Sequence, residues 1–579
     1  MNSTATPGQE FDYLIVGGGS AGCVLAARLS EDPAVTVCLL EAGPVDKSVL
    51  IHVPAGLALL AQNGAANWAF QTVPQPGLNG RRGYQPRGKV LGGSSSVNAM
   101  IYLRGQAEDY DAWAAEGNPG WAWAEVLPYF KRSERRIGPG DDVYRGRDGP
   151  LPITDPDWTG ALCEAFITGA AELGITRNPD YNGAEQLGAG YFQRFIHHGR
   201  RVSMAHAFLH PAIRRGNVDL RTEAMATSIV CDGRRATGVR YRRQGRRQGP
   251  EQTVQARREV IVCAGAINSP KLLQLSGIGP AGLLQERGLP VLHALPGVGE
   301  NLQDHYTVRM TARARNVRTI NEAAHGWRLA LEVARWLARR PSIIGLSPSL
   351  VHVFCKSRPH LSRGDIQVLF TPASYKAGKH YQVDDAPGMS VGARQQRPES
   401  RGHVRIAGPD AMSDPRIQPN YLAHPRDQQT LVAALKIARG LLQTKALAPY
   451  FAAETLPGPA VSSDAEWLEF ARRGGNTAYH MVGTCSMGPA SDALAVVDAD
   501  LRVHGMQALR VVDASVMPRV PSANTLAATL MVAERAADCI RGMERLPPVH
   551  PQRASRASHA REALNKGSAS RAAMPRQGA

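Results

Sequence analysis

FDYLIVGGGSAGCVLAARLSEDPAVTVCLLE, residues 11–41, decides how this chain folds. An apolar run of strand length is followed by three glycines in G-x-G-x-x-G spacing, by helix-forming residues, and by a second apolar run that ends in Glu41. The glycines are Gly17, Gly19 and Gly22. Such glycines let the backbone approach a pyrophosphate at a helix N-terminus, and an acid after the second strand accepts hydrogen bonds from ribose hydroxyls. The stretch therefore predicts a dinucleotide-binding βαβ unit, without deciding between NAD and FAD.

The composition is that of an ordinary globular chain. Its 579 residues are 43% hydrophobic and 20% charged, and they suffice for two or more domains. No apolar run reaches the roughly 18 residues of a membrane span, and the N-terminus shows no secretory signal. The eight cysteines are scattered without a C-x-x-C pair, which favours reduced thiols over a disulfide framework or a metal site. We therefore expect a cytoplasmic protein with no metal centre.

The chain is also basic, with 67 Lys and Arg against 50 Asp and Glu and a net charge of +17. Part of the excess lies in a cluster of arginines at 240–247, which predicts a hairpin tip, and part in the tail at 546–579. The tail has few large apolar residues and is predicted to be disordered. Because no nucleic-acid motif accompanies these charges, we interpret them as solvated basic surface and expect no nucleic-acid partner.

HGWRLALEVARWLARR, residues 325–340, predicts a basic amphipathic helix. Trp327, Leu331, Ala334 and Leu337 share one face of it. We expect that face to pack over a second domain, as the apolar face of a surface helix usually does. The alternative is peripheral attachment to an anionic membrane.

Three later stretches extend the first unit. PRGKVLGGSSSVNAMIYLRG, residues 86–105, predicts a backbone laid against a flat ligand that then continues into a helix. Residues 218–262 alternate in short runs, which predicts a β-meander that ends in a second buried strand. AGAINSPKLLQLSGIG, residues 264–279, predicts a helix from about Ser269 and returns the chain to the first sheet.

Asp304 and His305 stand side by side in GVGENLQDH. An acid next to an imidazole could suggest a catalytic dyad. Neighbouring residues on a strand point in opposite directions, however, and the segment has the composition of a turn. We therefore interpret it as a turn without a catalytic role.

The most informative C-terminal stretches are NTAYHMVGTCSMG, residues 476–488, and the strand–loop–helix pattern of residues 509–540. The second pattern places Asp513 at the carboxyl end of a strand and Asn524 close to the start of a helix. Open α/β sheets bind their ligands at the carboxyl ends of strands. Both stretches are therefore candidates for a functional site.

At these residues the chain resembles the glucose–methanol–choline (GMC) family of FAD-dependent oxidoreductases, and its choline and alcohol dehydrogenases in particular. The matching motifs are GGGSAG with Glu41, PRGKVLGGSSSVNAM, GAINSPKLLQLSGIG, and the segments around His480 and Asn524. They occur in the family's order. The resemblance implies FAD as the dinucleotide and an α/β fold. It also implies a Rossmann-like FAD-binding domain, discontinuous in sequence, and a substrate domain whose antiparallel β-sheet is covered by helices.

The same resemblance implies how the chain is divided. The FAD-binding domain takes residues 1–155, residues 216–309 and a closing segment at 476–545 that carries His480 and Asn524. The substrate domain takes a cap segment at 156–215 and its main part at 310–475, and the basic tail follows at 546–579.

Site residues carry over from the family where the motifs match. His480 falls where the family keeps its active-site histidine, Asn524 falls where the second member of the pair is His or Asn, and Tyr479 is expected to border the substrate pocket. The resemblance implies cofactor contacts in all three parts of the FAD-binding domain: Gly17, Gly19, Ser20, Ala21, Gly22, Glu41, Ala42, Gly92, Asn98, Ala99, Met100, Ile101, Asp513, Ala514, Asn524 and Thr525.

Two departures from the family pattern are informative. Some members carry, where Val97 stands, a histidine that bonds covalently to the flavin; valine has no nucleophile, so we expect FAD to be bound non-covalently. The light-driven fatty-acid photodecarboxylases of the family place a cysteine where Gln396 stands, which counts against that reaction here.

The resemblance implies oxidation of an alcohol, expected to be primary, to an aldehyde by hydride transfer to the flavin. Imidazole, with an ordinary pKa of about 6.5, can accept the hydroxyl proton, and an amide N–H can hold the oxygen. We therefore predict His480 as the base and Asn524 as its hydrogen-bonding partner, with a quinone or other acceptor receiving the electrons.

The alternatives are an alcohol oxidase that uses O2 and a non-redox hydroxynitrile lyase that keeps FAD as a structural group. Aliphatic or aromatic primary alcohols are the default substrates, because the sequence assembles no aromatic cage or carboxylate for choline. The oligomeric state leaves no signal in the sequence.

Overall fold

The computed structural model describes residues 10–60, 64, 66–243, 249–376 and 382–551. Strands and helices are numbered in chain order. The first of two large sheets contains β1 (Glu10–Val16), β2 (Val37–Leu40), β10 (Val218–Arg221), β11 (Ala224–Asp232), β12 (Arg235–Arg243), β13 (Glu251–Val262) and β24 (Leu509–Val511). Its order is β10-β2-β1-β13-β12-β11, and β24 pairs with the carboxyl end of β13.

The centre of this sheet is the βαβ unit predicted for residues 11–41. β1 lies between β2 and β13 and runs parallel to both, so its residues are covered on both faces, which explains the uninterrupted apolar run. The chain leaves β1 through Gly17 and enters helix α1 (Ser20–Leu29), whose buried alanines and leucines pack on the sheet. The predicted strand, turn, helix and second strand are therefore confirmed.

The other strands of the first sheet agree with the sequence except at one point. β11, β12 and β13 form the predicted antiparallel meander, and the last residues of β13 pair with β1, so the chain does return to the first sheet. β10, however, is not part of the meander. It runs parallel to β2, because its residues hydrogen-bond to the otherwise free edge of that strand.

The second sheet is antiparallel throughout. It contains β7 (Gly188–Tyr191), β16 (Tyr306–Ala314), β17 (Val351–Cys355), β18 (Ile366–Thr371), β19 (Gly388–Gln395), β22 (Phe451–Leu456) and β23 (Asn476–Thr477). Its order is β22-β16-β19-β18-β17-β7, with β23 paired to β16. Helices α6 (Ala161–Glu172) and α12 (Pro425–Leu442) cover one face. The α/β fold class with a parallel Rossmann-like sheet and an antiparallel sheet is therefore confirmed, whereas the exact domain boundaries stay a prediction.

Side chains of the second sheet alternate between its two faces, as expected for a half-covered sheet. Those of β16 that pack in the core beneath α12 are Val308, Met310 and Ala312. Those that face a cavity on the other side are Thr307, Arg309, Thr311 and Arg313. The polar side of β16 therefore faces that cavity.

The remaining elements are short and connect these layers. The other helices are α2 (Val49–His52), α3 (Leu57–Leu60), α4 (Ala107–Ala115), α5 (Trp123–Ser133), α7 (His210–Ile213), α8 (Gly265–Leu275), α9 (Ala281–Glu286), α10 (Ile320–Ala323), α11 (Gly326–Leu337), α13 (Asp464–Gly474) and α14 (Thr525–Arg541). The other strands are β3 (Phe70–Gln71), β4 (Tyr84–Gln85), β5 (Glu134–Ile137), β6 (Leu151–Thr154), β8 (Ile196–His197), β9 (Arg200–Arg201), β14 (Ile278–Gly279), β15 (His293–Ala294), β20 (His403–Arg405) and β21 (Arg416–Gln418). All eight cysteines are free thiols.

Two helix predictions were wrong. The stretch at 86–105 does not continue into a helix. It forms one 3-10 turn, Gly93–Ser96, and then an extended segment, because Met100 holds a left-handed φ of 59° that no helix contains. Helix α8 begins at Gly265 rather than near Ser269, since the turn expected between strand and helix is absorbed into the first helical turn.

Three surface predictions either need correction or concern residues that the structure does not describe. The apolar face of α11 does not pack over a domain but faces solvent, because the contacts of α11 are made by its other side. The tip of the arginine-rich hairpin lies outside the described residues, as does most of the tail. Residues 546–551 of that tail are ordered against the first domain, where Leu546 and Val549 donate backbone hydrogen bonds to helix α5.

Candidate active site

A cavity of about 810 Å3 lies between the two sheets. One end is lined by Gly17 and Glu41 and the other by His480 and Asn524. Inward side chains of β16, β18 and β19 form its outer wall. The nucleotide motif and the C-terminal motif therefore border one space although they are far apart in sequence.

The glycine turn at the first end leaves no room for a side chain at two of its three glycines. At Gly17 φ is +109°, and a Cβ there would stand 2.5 Å from the carbonyl oxygen of Cys263. A Cβ on Gly22 would stand 2.0 Å from the Gly17 oxygen, so Gly22 allows α1 to pack on the turn. Gly19 faces open space, with its nearest neighbouring atom at 3.9 Å. The turn therefore presents bare backbone to the cavity.

Glu41 marks the end of this part of the cavity. Its buried carboxylate accepts hydrogen bonds from the backbone N–H groups of Gly18 and Gly43, both at 2.8 Å. Burial raises the pKa of Glu41 to about 7, although these two N–H groups oppose the shift. A carboxylate has about four lone-pair positions, so Glu41 can still accept hydrogen bonds from ligand hydroxyls.

The stretch after residue 91 closes over the glycine turn. The N–H of Gly92 donates to the carbonyl of Gly18 at 2.7 Å, and a Cβ on Gly93 would stand 2.7 Å from the Cα of Gly19. The two glycine-rich segments are therefore in direct backbone contact, which explains why both need glycine.

Arg201 fixes the following residues against the cavity. Its guanidinium donates to the carbonyl of Asn98 at 2.7 Å, to the Asn98 side-chain oxygen at 3.1 Å and to the carbonyl of Ser95 at 3.2 Å. Burial lowers the pKa of Arg201 to about 9. The segment it holds, residues 98–101, lines the cavity.

Asp513 ties the closing segment to α8. Its carboxylate accepts from the backbone N–H groups of Gly265 at 2.8 Å and Ser515 at 2.7 Å, and from the Ser269 hydroxyl at 2.5 Å. This network joins two motifs that the sequence presents separately. The N-termini of α8 and α14 both line the cavity.

Nearly all predicted site residues line the cavity. They are Gly17, Gly19, Ser20, Ala21, Glu41, Ala42, Asn98, Ala99, Met100, Ile101, Tyr479, His480, Asp513, Ala514, Asn524 and Thr525. Gly22 and Gly92 instead lie behind the wall, where they permit the close backbone contacts just described. The structure therefore gives these two glycines a supporting position rather than a lining one.

The backbone around His480 is held by an acid. The Asp304 carboxylate accepts from the N–H of His480 at 2.8 Å, from the Thr477 hydroxyl at 2.5 Å and from the Tyr421 hydroxyl. Tyr479, just before the histidine, adopts a left-handed φ of 69°. A non-glycine residue in that region costs energy and persists where its surroundings impose it. Asp304 thus fixes where the His480 ring stands.

A second imidazole meets His480. The Nδ1 atoms of His305 and His480 are 2.9 Å apart, and Nε2 of His305 lies 2.8 Å from the carbonyl oxygen of Gln396. Since a carbonyl can only accept, His305 carries its proton on Nε2 and accepts at Nδ1. His480 therefore donates from Nδ1, and its Nε2 keeps a free lone pair.

Both rings are neutral. Burial, and after it the charge of Arg394, lowers the pKa of His305 to about 3. Burial, followed by the charge of Arg394, also holds the pKa of His480 well below its ordinary value. Within the described residues, the hydrogen bonds of His480 involve its Nδ1 and its backbone N–H and not its Nε2, and the residue lines the cavity. A neutral imidazole with a free lone pair can accept a proton from a bound molecule.

Arg394 contacts both members of the predicted pair. Its Nη2 donates to the side-chain oxygen of Asn524 at 3.0 Å and to that of Gln367, and its Nη1 lies 3.5 Å from Nδ1 of His480. Arg394 is buried in the cavity wall, and burial lowers its pKa to about 9. Asn524 stands at the N-cap of α14 without capping it through its side chain. Because the Asn524 oxygen is committed to Arg394, the amide N–H groups are available to the cavity.

Sequence reasoning missed these supporting residues. Asp304 and His305 were interpreted as a turn without a role. They do point in opposite directions, but the closing segment crosses the start of β16, so one bonds the His480 backbone and the other its ring. For Arg394 a signal exists: a charged residue within a buried strand is rare unless it is paired or functional.

Comparison with known proteins identifies the family. The model described as GMC oxidoreductase matches residues 11–307, and its C-terminal counterpart matches residues 398–533. The chain belongs to the GMC oxidoreductase family. It is therefore an FAD-dependent oxidoreductase that acts on the CH–OH group of alcohols.

Relatives of this GMC oxidoreductase cover nearly its whole length. It is 42% identical over 532 residues to the "Alcohol dehydrogenase [acceptor]" of Pseudomonas putida, with 92% of this chain and 95% of the relative aligned. It is 41% identical over 549 residues to the "Oxygen-dependent choline dehydrogenase" of Staphylococcus saprophyticus, with 93% and 96% aligned. Among solved structures, pyridoxine 4-oxidase from Mesorbium loti has a TM-score of 0.83 and 34% identity, covering 92% of this chain and 100% of that one.

The cavity fits the FAD that the family implies. Bare backbone at Gly17 and Gly19 suits a pyrophosphate, and the Glu41 carboxylate suits ribose hydroxyls. The N-terminus of α14 at Thr525 offers free N–H groups to an electron-rich ring. Across the described residues, no cluster of three His, Cys, Asp or Glu side chains could hold a metal ion.

Proposed function

We propose that this GMC oxidoreductase oxidises a neutral primary alcohol to an aldehyde, with His480 as the base and a quinone as the electron acceptor. One observation carries the proposal. His480 with a free Nε2 and Asn524 with available amide N–H groups meet on the cavity, and one guanidinium, that of Arg394, lies against both.

Each of these residues would have a defined task. The hydroxyl proton of the alcohol passes to Nε2 of His480, while the Asn524 amide donates to the oxygen and holds it. Bound FAD supplies the acceptor for the hydride from the alcohol carbon, so the alcohol loses two electrons and becomes an aldehyde. Because Arg394 lies beside the protonated ring, His480 releases its proton readily after the aldehyde has formed.

We further propose that FAD is held without a covalent bond. Val97 lines the cavity with an aliphatic side chain that cannot attack the flavin. Acid precipitation of the holoenzyme is therefore expected to leave all flavin absorbance in the supernatant. Yellow protein in the washed pellet would contradict this prediction.

The proposed substrate is neutral rather than choline. Three carboxylates line the cavity among the described residues. Glu41 and Asp513 lie in the part that would hold FAD, and Asp384 is paired with Arg313 at 2.6 Å. The face of the Tyr375 ring is covered by Arg309, at 4.4 Å from its centroid. A quaternary ammonium group would therefore find no unpaired acid outside the part that would hold FAD, and no access to the face of Tyr375.

Choline and its neutral isostere 3,3-dimethylbutan-1-ol test this assignment directly. We expect kcat/KM for choline to be about 30-fold lower than kcat/KM for the isostere. This ratio corresponds to about 2 kcal/mol, because the site has no group that compensates the cation for the water it loses. The two molecules have the same shape, so the ratio isolates the charge. A ratio that favours choline would contradict the proposal.

The acceptor is tested after reduction. Anaerobic mixing with 3,3-dimethylbutan-1-ol should bleach the flavin band, and the reduced enzyme is then mixed with a short-chain ubiquinone or with O2. Apolar side chains on the outer cavity wall, among them Ile343 and Leu369, support quinone as the faster oxidant. Faster reoxidation by O2 would make the protein an oxidase. Failure to bleach with any alcohol of a panel would indicate a non-redox role for FAD.

A further inference from the structure

Helix α11 exposes its apolar side chains to solvent. Trp327 is 73% exposed, Leu331 50%, Val333 39% and Leu337 68%, and no residue of the helix is buried. At 3.6 residues per turn these four side chains and two alanines lie within an arc of about 160°. We call these four side chains the apolar face of α11. It points away from the protein, whereas such a face normally packs inward.

The contacts that hold α11 come from its opposite side and are polar. Trp336 donates from its ring nitrogen to the carbonyl of Gly199 at 2.7 Å. The Glu332 carboxylate accepts from the N–H of Ile343 at 3.0 Å, and the Glu332 carbonyl accepts from the Ser342 hydroxyl at 2.8 Å. These hydrogen bonds fix the inner side of the helix, and the apolar face of α11 therefore stays in solvent.

The segment that directly follows α11 reaches the cavity. Directly after the helix, Ile343 and Leu346 line the cavity, and their 3-10 turn packs against the turn at Pro54–Gly56. That second turn also lines the cavity and lies between two further exposed apolar side chains, Val49 at 65% and Leu59 at 59%. Exposed apolar surface therefore occurs on both segments that meet at this part of the cavity wall.

Basic side chains accompany this surface. Arg328 and Arg335 stand at one border of the apolar arc, and Arg339 and Arg340 follow the helix directly. In the described part of the chain, Arg328, Arg339 and Arg340 have no ion-pair partner. Glu332, the single acid of α11, is turned inward. Apolar residues flanked by arginines are the pattern of helices that lie in the interface of an anionic bilayer.

We propose that α11 and the exposed residues near Pro54 rest on the surface of an anionic lipid bilayer, so that the cavity opens toward the membrane. No helix in the described ranges could cross a bilayer, so the attachment is peripheral. A second copy of this chain fits less well, because pairing α11 with itself would bring its arginines together. The benefit of membrane attachment rests on the proposed function, since apolar alcohols and quinones dissolve in the membrane. The attachment itself does not depend on that function.

Flotation of the holoenzyme with vesicles tests the proposal without turnover. We expect binding to vesicles of phosphatidylglycerol mixed with phosphatidylcholine, weaker binding to phosphatidylcholine alone, and loss at high salt. Trp327→Ser combined with Leu337→Ser should lower the bound fraction about tenfold. Leu173→Ser combined with Leu494→Ser removes two exposed leucines elsewhere and should bind as the wild type does.

Flavin content and turnover of a short, water-soluble alcohol should be unchanged in the α11 variant, because neither residue lines the cavity. Equal binding by the wild type and the α11 variant would overturn the proposal, and it would place attachment elsewhere, for instance in the basic tail. A wild-type dimer that the α11 variant converts to a monomer, without vesicle binding by either, would also overturn it. If flavin reduction by alcohols fails while vesicle binding depends on α11, the proposed function falls and the membrane surface stands.

Discussion

Replacing His480 by alanine is expected to slow flavin reduction by a primary alcohol about 10³-fold, because the variant has no general base for the hydroxyl proton. The measurement is anaerobic stopped-flow mixing of the holoenzyme with 3,3-dimethylbutan-1-ol, followed at the flavin band. The base acts through Nε2, whose lone pair is kept free by the hydrogen bond between the two Nδ1 atoms. The loss should therefore appear in the limiting rate of reduction and hardly in substrate affinity.

A second buried histidine provides the control. His352 is also fully buried, with a pKa lowered to about 3 by burial, but it does not line the cavity. It contacts Tyr181 and Phe354, so His352→Phe keeps an aromatic environment. This variant should reduce its flavin at close to the wild-type rate. Reduction at an undiminished rate in His480→Ala would remove the histidine from the mechanism.

Replacing Arg394 by methionine is expected to slow flavin reduction about 10²-fold, because the Asn524 amide is no longer turned toward the cavity. A second effect should appear in the pH dependence. The Arg394 charge lowers the pKa of His480, so its removal lets that pKa rise toward the ordinary value. The base works only when neutral. The acid limb of the rate profile should therefore move to higher pH, whereas in the wild type it lies well below pH 6.5.

Two further variants separate these effects. Arg394→Lys keeps the charge but loses the planar donor, so the rate should fall while the acid limb stays in place. Arg313→Met removes a different cavity arginine, which lies on β16 and is paired with Asp384, and it should change neither the rate nor the acid limb. Reduction rates measured between about pH 5 and 9 would decide the matter. An Arg394→Met enzyme with the wild-type rate and pH profile would show that Arg394 neither lowers the pKa of His480 nor orients the Asn524 amide.

The sequence was sufficient for those parts of the fold in which local pattern and tertiary environment agree. Residues 11–41 carry their own strand length, turn glycines and helix period, so each element was predicted within a few residues. The stretch at 86–105 failed for the opposite reason. Its apolar run favours a helix, but contact between Gly93 and Gly19 and the anchoring of Asn98 by Arg201 impose an extended path. Those partners are distant in sequence and cannot be inferred from the stretch itself.

The predicted site residues show the same limit. His480 and Asn524 were identified by motif, and the structure brings both to the cavity. The residues that set their protonation and orientation carry no motif, because a role such as that of His305 depends on one backbone carbonyl from Gln396. A pattern can indicate which residue faces a cavity. It does not indicate which nitrogen of that residue carries the proton.

The late position of β24 has a consequence for synthesis of the protein. β24 completes the parallel sheet beside β13, and α14 packs on α1, where Glu534 pairs with Arg28 at 2.9 Å. At about 5–20 residues per second, Asp513 leaves the ribosome roughly half a minute to a minute and a half after Glu41. Until then the side of α1 that packs on α14 is exposed, and the cavity lacks the wall that residues 513–525 form. We therefore expect FAD to bind only after the C-terminal segment has been synthesised and has completed the cavity.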